Sequence, residues 1–219
     1  MNKEGLIDYL KEFVTEERYC KIQEVAKDRT HHLCVAVEDL YQAHNTNAVI
    51  RSAECFGVQN IHVIQNQFEF QVNREISMGA SKWLDIHPHN TTKECIQDLK
   101  QKGYRVVATM PAEKDTMVDE VDLSTPVAFL FGTEKFGLTA EAIEMADEFV
   151  KIPMYGFTES YNVSVSSALV MMSAMSRLRK SDISWQLPES EQHTLMLKFL
   201  RASIREVEKI EKRYAEINA

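Results

Sequence analysis

Apolar positions change their period along the chain. In the first thirty residues they recur at helical spacing, Leu6, Tyr9, Leu10, Phe13, then Ile22 and Val25, which predicts one or two amphipathic helices. From "HLCVAVEDL" onward, short apolar runs alternate with helical segments. "NAVIRSAECFG" reads as helix, "IHVIQ" as strand, "TKECIQDLKQKG" as helix and "YRVVATM" as strand; further on, "PVAFLF" is a strand, "TAEAIEMAD" a helix, "EFVKIPM" a strand and "VSVSSALVMMSAMSRLRK" a long helix. This repetition predicts an α/β fold with a mostly parallel sheet and helices on both faces. A turn-rich bridge, "SDISWQLPES" with Pro188, precedes a last helix expected from about Glu191 to the end. The expected organisation is a helical N-terminal extension over 1–30, a core over 31–180 and a helical C-terminal extension over 181–219.

Composition narrows the class. The chain has 219 residues, 44% hydrophobic and 26% charged, as in a soluble globular protein with one substantial core. No apolar run could span a bilayer, and "MNKEGLIDYLKEF" has charges where a signal peptide needs an apolar stretch, so a cytoplasmic location is expected. Cys20, Cys34, Cys55 and Cys95 are widely spaced without a CxxC pair, which predicts reduced, mostly packed thiols. "HPHN" has no Cys, Asp or Glu partner at ligand spacing, so no metal site is expected. The net charge of -8 argues against a surface coated in basic residues for nucleic acid and leaves room for a local basic face. Lys198, Arg201, Arg205, Lys209 and Lys212 follow at helical steps near the end, with Glu206, Glu208 and Glu211 between them. They read either as an RNA-facing stripe or as a solvated, salt-bridged helix.

In a parallel sheet, ligands sit beyond the carboxyl ends of the strands. Those ends are occupied here by "HNTNA", "ATMPAE", "FGTEKFG" and "PMYGFTESYN", the polar, glycine-bearing parts of the core. There is no GxGxxG after the first strand and no GxxxxGK[ST], which disfavours a dinucleotide fold or a P-loop. The stretch "IPMYGFTESYNVSVSSALVMM" runs from a strand end through a polar turn into a small-residue helix. It reads as an N-capped helix or as a loop that holds a small polar ligand. Asn45 and Asn162 each stand where a helix cap is expected, Arg51 lies on the same predicted helix as Asn45, and Glu134 lies in a turn between Gly132 and Gly137.

Three separated segments, "HNTNAVIRSAECFGV", "VAFLFGTEKFGLT" and "IPMYGFTESYNVSVSSALVMM", resemble in order and separation the three signature motifs of the knotted SPOUT superfamily of RNA methyltransferases. The closest likeness is to TrmH-type tRNA (guanosine-18) 2'-O-methyltransferases, over roughly residues 30 to 180, and "SMGASKWLDI" resembles the family's segment between the first two motifs. The resemblance implies a SPOUT fold whose C-terminal part forms a deep trefoil knot, and a pocket for S-adenosylmethionine (AdoMet) made by loops around Thr109, Gly132 and Ile152 to Tyr161. It also implies active-site roles for Asn45, Arg51, Glu134, Ser160 and Asn162, and a homodimer with the active site near its interface. Family members are held to use the arginine matching Arg51 to activate the ribose hydroxyl. Because a guanidinium stays protonated, Arg51 is assigned here to gripping phosphate and positioning the ribose. Glu134 would orient Arg51 or Asn162, or else is a solvated turn carboxylate. Relatives commonly have leucine where this chain has Tyr161, which alters the pocket wall. The first forty residues hold nine acidic and six basic side chains, few positive charges for a tRNA-gripping arm, and leave no room for the extra domain of many ribosomal RNA relatives. The expected substrate is the D-loop guanosine of tRNA. Ribosomal RNA, a tRNA anticodon ribose, or a non-catalytic RNA-binding role are the alternatives.

Overall fold

The computed structural model describes residues 3–38, 43–66, 77–110, 116–133 and 136–218. In chain order its elements are α1 (Lys3–Leu10), α2 (Glu16–Lys27), β1 (Leu33–Glu38), α3 (Ala43–Phe56), β2 (Asn60–Ile64), β3 (Asp85–His89), α4 (Thr92–Gln101), β4 (Arg105–Thr109), β5 (Thr116–Met117), β6 (Val127–Phe131), α5 (Ala140–Met145), β7 (Glu148–Lys151), α6 (Val163–Leu178), α7 (Glu189–Ser203) and α8 (Val207–Ile217). The chain forms two compact units, Thr30–Trp185 and the two terminal stretches Met1–Arg29 with Gln186–Ala219. No described helix is long and apolar enough to cross a membrane.

The larger unit is a seven-stranded sheet in the order β3-β2-β1-β6-β4-β7-β5, and every pairing is parallel. β1 and β6 lie at its centre and are buried along their whole length, as continuous apolar runs in a doubly covered sheet should be. Alternation splits their side chains between two layers. Leu33, Val35, Val37, Val127, Phe129 and Phe131 pack with Val49, Ile50 and Ala53 of α3 and with Val170, Met171 and Met175 of α6. Cys34, Ala36, Ala128 and Leu130 face the other way, onto Cys95, Ile96 and Leu99 of α4 and Ala142 of α5. α3 and α6 pack against each other on the first face, which brings their amino-terminal ends together.

Two strands were not expected from the pattern. β3 contains "DIHPH", where a proline removes a ladder donor, and it is tolerated because β3 is the sheet edge. β5 has only two residues. The expected final helix is two helices, because Glu206 adopts φ 54°, a left-handed conformation that ends the regular turn between α7 and α8. Arg205 therefore falls between helices, and the basic stripe is interrupted. Arg201 Nε bonds Glu211 at 2.7 Å and Lys209 Nζ bonds Glu206 at 2.7 Å, so part of this stripe is salt-bridged. In this terminal unit α1 and α2 pack on α7, burying Leu6, Leu10, Ile22, Leu195, Phe199 and Leu200.

One buried charge holds the sheet to its helices. Glu38, 1% exposed at the carboxyl end of β1, accepts from Thr92 Oγ1 on α4 and from Thr139 N at 2.8 Å and Thr139 Oγ1 at 2.7 Å. Thr139 in turn caps α5. Removing the carboxylate leaves these donors without their acceptor, so Glu38→Ala is expected to lower unfolding free energy by about 3 kcal/mol in denaturant titration. A loss below about 1 kcal/mol would mean that the donors find other partners.

Candidate functional site

Three adjacent strands, β6, β4 and β7, end side by side. Beyond their carboxyl ends lies a pocket of about 290 Å³. Its walls come from Thr109 and Met110 at the end of β4, Phe131, Gly132, Thr133 and Gly137 at the end of β6 and beyond it, Val150 and Ile152 at β7, Met154, Glu159, Ser160 and Tyr161 on the segment leading into α6, and Val163 and Ser166 in its first turn. Apolar side chains from the strand ends form its floor, while hydroxyls and loop backbone form its edge, a division suited to a small ligand with a flat ring and polar substituents.

Local chemistry fixes each wall. Thr109 Oγ1 donates to the Leu130 carbonyl at 2.9 Å, joining the ends of β4 and β6. After β6 the chain closes a tight loop in which Thr133 N donates to Gly137 O at 3.0 Å and Gly137 N to Thr133 O at 2.9 Å. Gly137 takes φ 68°, a conformation that glycine adopts without steric cost. Gly132 has no room for a side chain, since a Cβ there would stand 2.3 Å from the carbonyl carbon and oxygen of Gly137. The third wall is drawn back on itself by Tyr161, whose hydroxyl donates to the Pro153 carbonyl at 3.3 Å. Tyr161 thus braces the loop while still lining the pocket.

The structure brings Thr109, Gly132, Ile152, Ser160 and Tyr161 into one lining. At its rim Asn162 Nδ2 donates to Asn45 Oδ1 at 3.2 Å, joining residues 117 positions apart. Asn162 also caps α6, its side-chain oxygen accepting from Ser164 N at 2.9 Å. Asn45 is 4% exposed and lies in the first turn of α3 rather than before it, so here it serves the contact with Asn162. Arg51 stands apart. It is exposed on α3 and outside the pocket lining, and six residues of helix turn it about 120° from Asn45 and about 9 Å along the axis. Glu134 lies outside the described residues. Met110, Phe131, Thr133, Val150, Met154, Glu159, Val163 and Ser166 were not singled out from sequence, although Met110 follows Thr109, Val150 stands two residues before the third motif segment and the others lie inside the second or third.

The residues fit AdoMet in kind. The cavity is small and partly apolar, edged by loop hydroxyls and backbone, and its tightest turn excludes any side chain at Gly132.

Likeness to known proteins agrees with this geometry. Residues 32–172 match the SpoU rRNA Methylase family. A tRNA (guanosine(18)-2'-O)-methyltransferase of Borreliella burgdorferi is 39% identical over 205 residues, 94% of each chain. The crystal structure of a TrmH/SpoU tRNA modifying enzyme of Aquifex aeolicus superposes with a TM-score of 0.77 at 28% identity, covering 86% of this chain and 97% of that one. A SpoU methyltransferase of Streptomyces viridochromogenes, solved in complex with AdoMet, shares the fold at a TM-score of 0.62 and 23% identity, covering 70% of this chain and 60% of that one. With a pocket at the ends of β4, β6 and β7, an Asn45–Asn162 pair at its rim and a match across most of its length, the chain belongs to the SpoU rRNA Methylase family.

Proposed function

We propose that this protein methylates the ribose 2'-hydroxyl of guanosine 18 in tRNA, using AdoMet bound in the pocket at the ends of β4, β6 and β7. The observation that carries the reading is the convergence of three loops on that pocket beside the Asn45–Asn162 pair. The tRNA and the nucleotide position follow from the likeness to the Borreliella burgdorferi enzyme, which extends over 94% of both chains.

Thr109, Gly132, Ile152 and Tyr161 would hold the cofactor, with backbone groups pairing to its adenine and ribose and apolar side chains enclosing the ring. Bound there, AdoMet supplies an activated methyl group together with its own leaving group. The remaining work of the protein is alignment of one hydroxyl and removal of its proton, which passes to solvent as the oxygen–methyl bond forms and the sulfur–methyl bond breaks. Ser160 offers its hydroxyl to the ribose from the pocket side and Asn162 its side chain from the rim, held there by Asn45. Arg51, always cationic, grips the RNA phosphate and sets the sugar in place. Glu134 orients these groups.

The protein acts as a homodimer in this reading. Val165, Leu169 and Met172 form an exposed apolar stripe along α6 at steps of four and three, and Arg51 lies outside the lining of its own chain's pocket. Both observations support a site completed between two copies. The trefoil knot belongs to the same proposal and rests on the likeness to the family. A cytoplasmic location follows from the substrate.

Labelled AdoMet incubated with unmodified tRNA should mark guanosine 18 as a 2'-O-methyl nucleotide, with unmodified ribosomal RNA left unlabelled. Label in ribosomal RNA alone rejects the substrate, and cofactor binding without label in either RNA rejects the activity in favour of a binding protein. Light scattering should give twice the chain mass, and a fully active monomer would overturn the shared site.

A further inference from the structure

At the β3 edge of the sheet, on the face covered by α4, four side chains from three elements meet. Parallel pairing sets His62 of β2 opposite His87 of β3, and His89 follows two residues on, on the same face. His62 Nδ1 lies 2.9 Å from His89 Nε2. Cys95 rises from α4 so that its sulfur and one nitrogen of each of these two rings all lie within 4.8 Å of one another, with all three residues buried. Asp98, one turn further along α4, places Oδ2 3.9 Å from each of the two nitrogens. We propose that this cluster is a zinc site, with His62 Nδ1, His89 Nε2, Cys95 Sγ and Asp98 Oδ2 as its ligands.

Separation is the first argument. Tetrahedral zinc, with bonds of about 2.0–2.3 Å, sets neighbouring donors about 3.3–3.7 Å apart. The nitrogen pair is a few tenths of an ångström inside that spacing, the carboxylate a few tenths outside it, and the sulfur within 4.8 Å, so side-chain rotations that move the donors by up to about 1 Å, the largest at Cys95, close the tetrahedron. Donor type is the second. Two imidazoles, a thiolate and one carboxylate suit a borderline ion such as Zn²⁺ and not the all-oxygen preference of Mg²⁺ or Ca²⁺.

The surroundings complete the site. His87 stacks on His62 with ring centroids 4.7 Å apart and bonds Asn60 Oδ1 at 3.1 Å, which fixes the rings in place. Lys102 Nζ donates to Asp98 Oδ2 at 2.7 Å. From its half-exposed position it can transfer to Oδ1 and leave Oδ2 to the metal. A surface cavity lined by His87, His89, Glu94 and Asp98 gives an ion access. Zinc binds Cys95 as the thiolate and so displaces the thiol proton. The proton shared by His62 and His89 moves to the other nitrogen of its own ring, and one proton leaves per ion bound. The ion would tie the two outermost strands on this side to α4, apart from the methyl-transfer pocket.

The test uses full-length protein carrying Cys20→Ser and Cys55→Ser, which removes the two exposed thiols. Stripped of metal and titrated with Co²⁺, it should bind one equivalent, giving the strong visible bands of a tetrahedral site and a near-ultraviolet thiolate charge-transfer band, both abolished by Zn²⁺. Adding Cys95→Ser should remove the charge-transfer band with circular dichroism unchanged. Asp98→Asn, at a side chain that is 32% exposed and so tolerant of change, should weaken Co²⁺ binding at least about tenfold. Weak octahedral bands, absence of one-to-one binding, or a charge-transfer band that survives Cys95→Ser would overturn the site. If Cys95→Ser fails to fold, Asp98→Asn decides: unchanged Co²⁺ affinity and spectrum exclude the proposed ligand set.

Discussion

Gly132→Ala should lower AdoMet affinity on the order of 100-fold, about 2.7 kcal/mol, while leaving the sheet folded. The added Cβ would lie 2.3 Å from the backbone carbon and oxygen of Gly137 and 2.4 Å from Leu138 N. All three are main-chain atoms, so no side-chain rotation relieves the overlap. Relief requires opening the Thr133–Gly137 pair, whose two hydrogen bonds close the loop at 3.0 and 2.9 Å. Both Thr133 and Gly137 line the pocket, so the wall moves with them. Gly137→Ala makes a useful contrast. A Cβ there meets nothing within 4 Å, and the cost is confined to its left-handed backbone, about 1–2 kcal/mol. Calorimetric titration of each variant with AdoMet should therefore rank Gly132→Ala well below Gly137→Ala. Unchanged affinity in Gly132→Ala would show that this loop does not contact the cofactor.

The parallel sheet was legible because its central strands are apolar without interruption and its helices carry a helical period. "VAFLF" and "LCVAVE" could hardly be read otherwise once helical segments separated them. β3 escaped that reading because Asp85, His87, Pro88 and His89 give neither apolar alternation nor β propensity, and only its edge position makes it tenable. The break at Glu206 is equally silent, since no glycine or proline marks it. Within the site, the three loops were implied by the family resemblance, two of them inside motif segments and the one at Thr109 outside them, and five of their residues do meet around one cavity. The hydrogen bond between Asn45 and Asn162 could not be found from spacing, because it depends on α3 lying against α6. The histidine cluster was hidden for the same reason. Its members come from β2, β3 and α4, and sequence rules for metal ligands look for partners close along the chain. Parallel pairing in register, not chain proximity, sets His62 opposite His87 and brings His89, two residues on, to the same face.

Arg51→Ala should reduce methyl transfer by about three orders of magnitude in kcat/KM for tRNA, about 4 kcal/mol, and leave AdoMet affinity within roughly 1 kcal/mol. The split follows from position. Arg51 is exposed on α3 and takes no part in the pocket lining, so its loss removes no wall from the cofactor. What it removes is a fixed cation at the RNA, and misplacing a nucleophile by even about 1 Å can cost on the order of 100-fold before any lost phosphate binding is counted. Arg51→Lys separates the two contributions. A lysine keeps the charge and loses the planar two-point grip, so tRNA binding should recover more than turnover if the guanidinium also sets the angle of the ribose. Full recovery of turnover by lysine would reduce Arg51 to a simple electrostatic contact. An equal loss of AdoMet and tRNA binding in Arg51→Ala would contradict the division of roles, because it would place the arginine at the cofactor and leave the ribose without its positioning group.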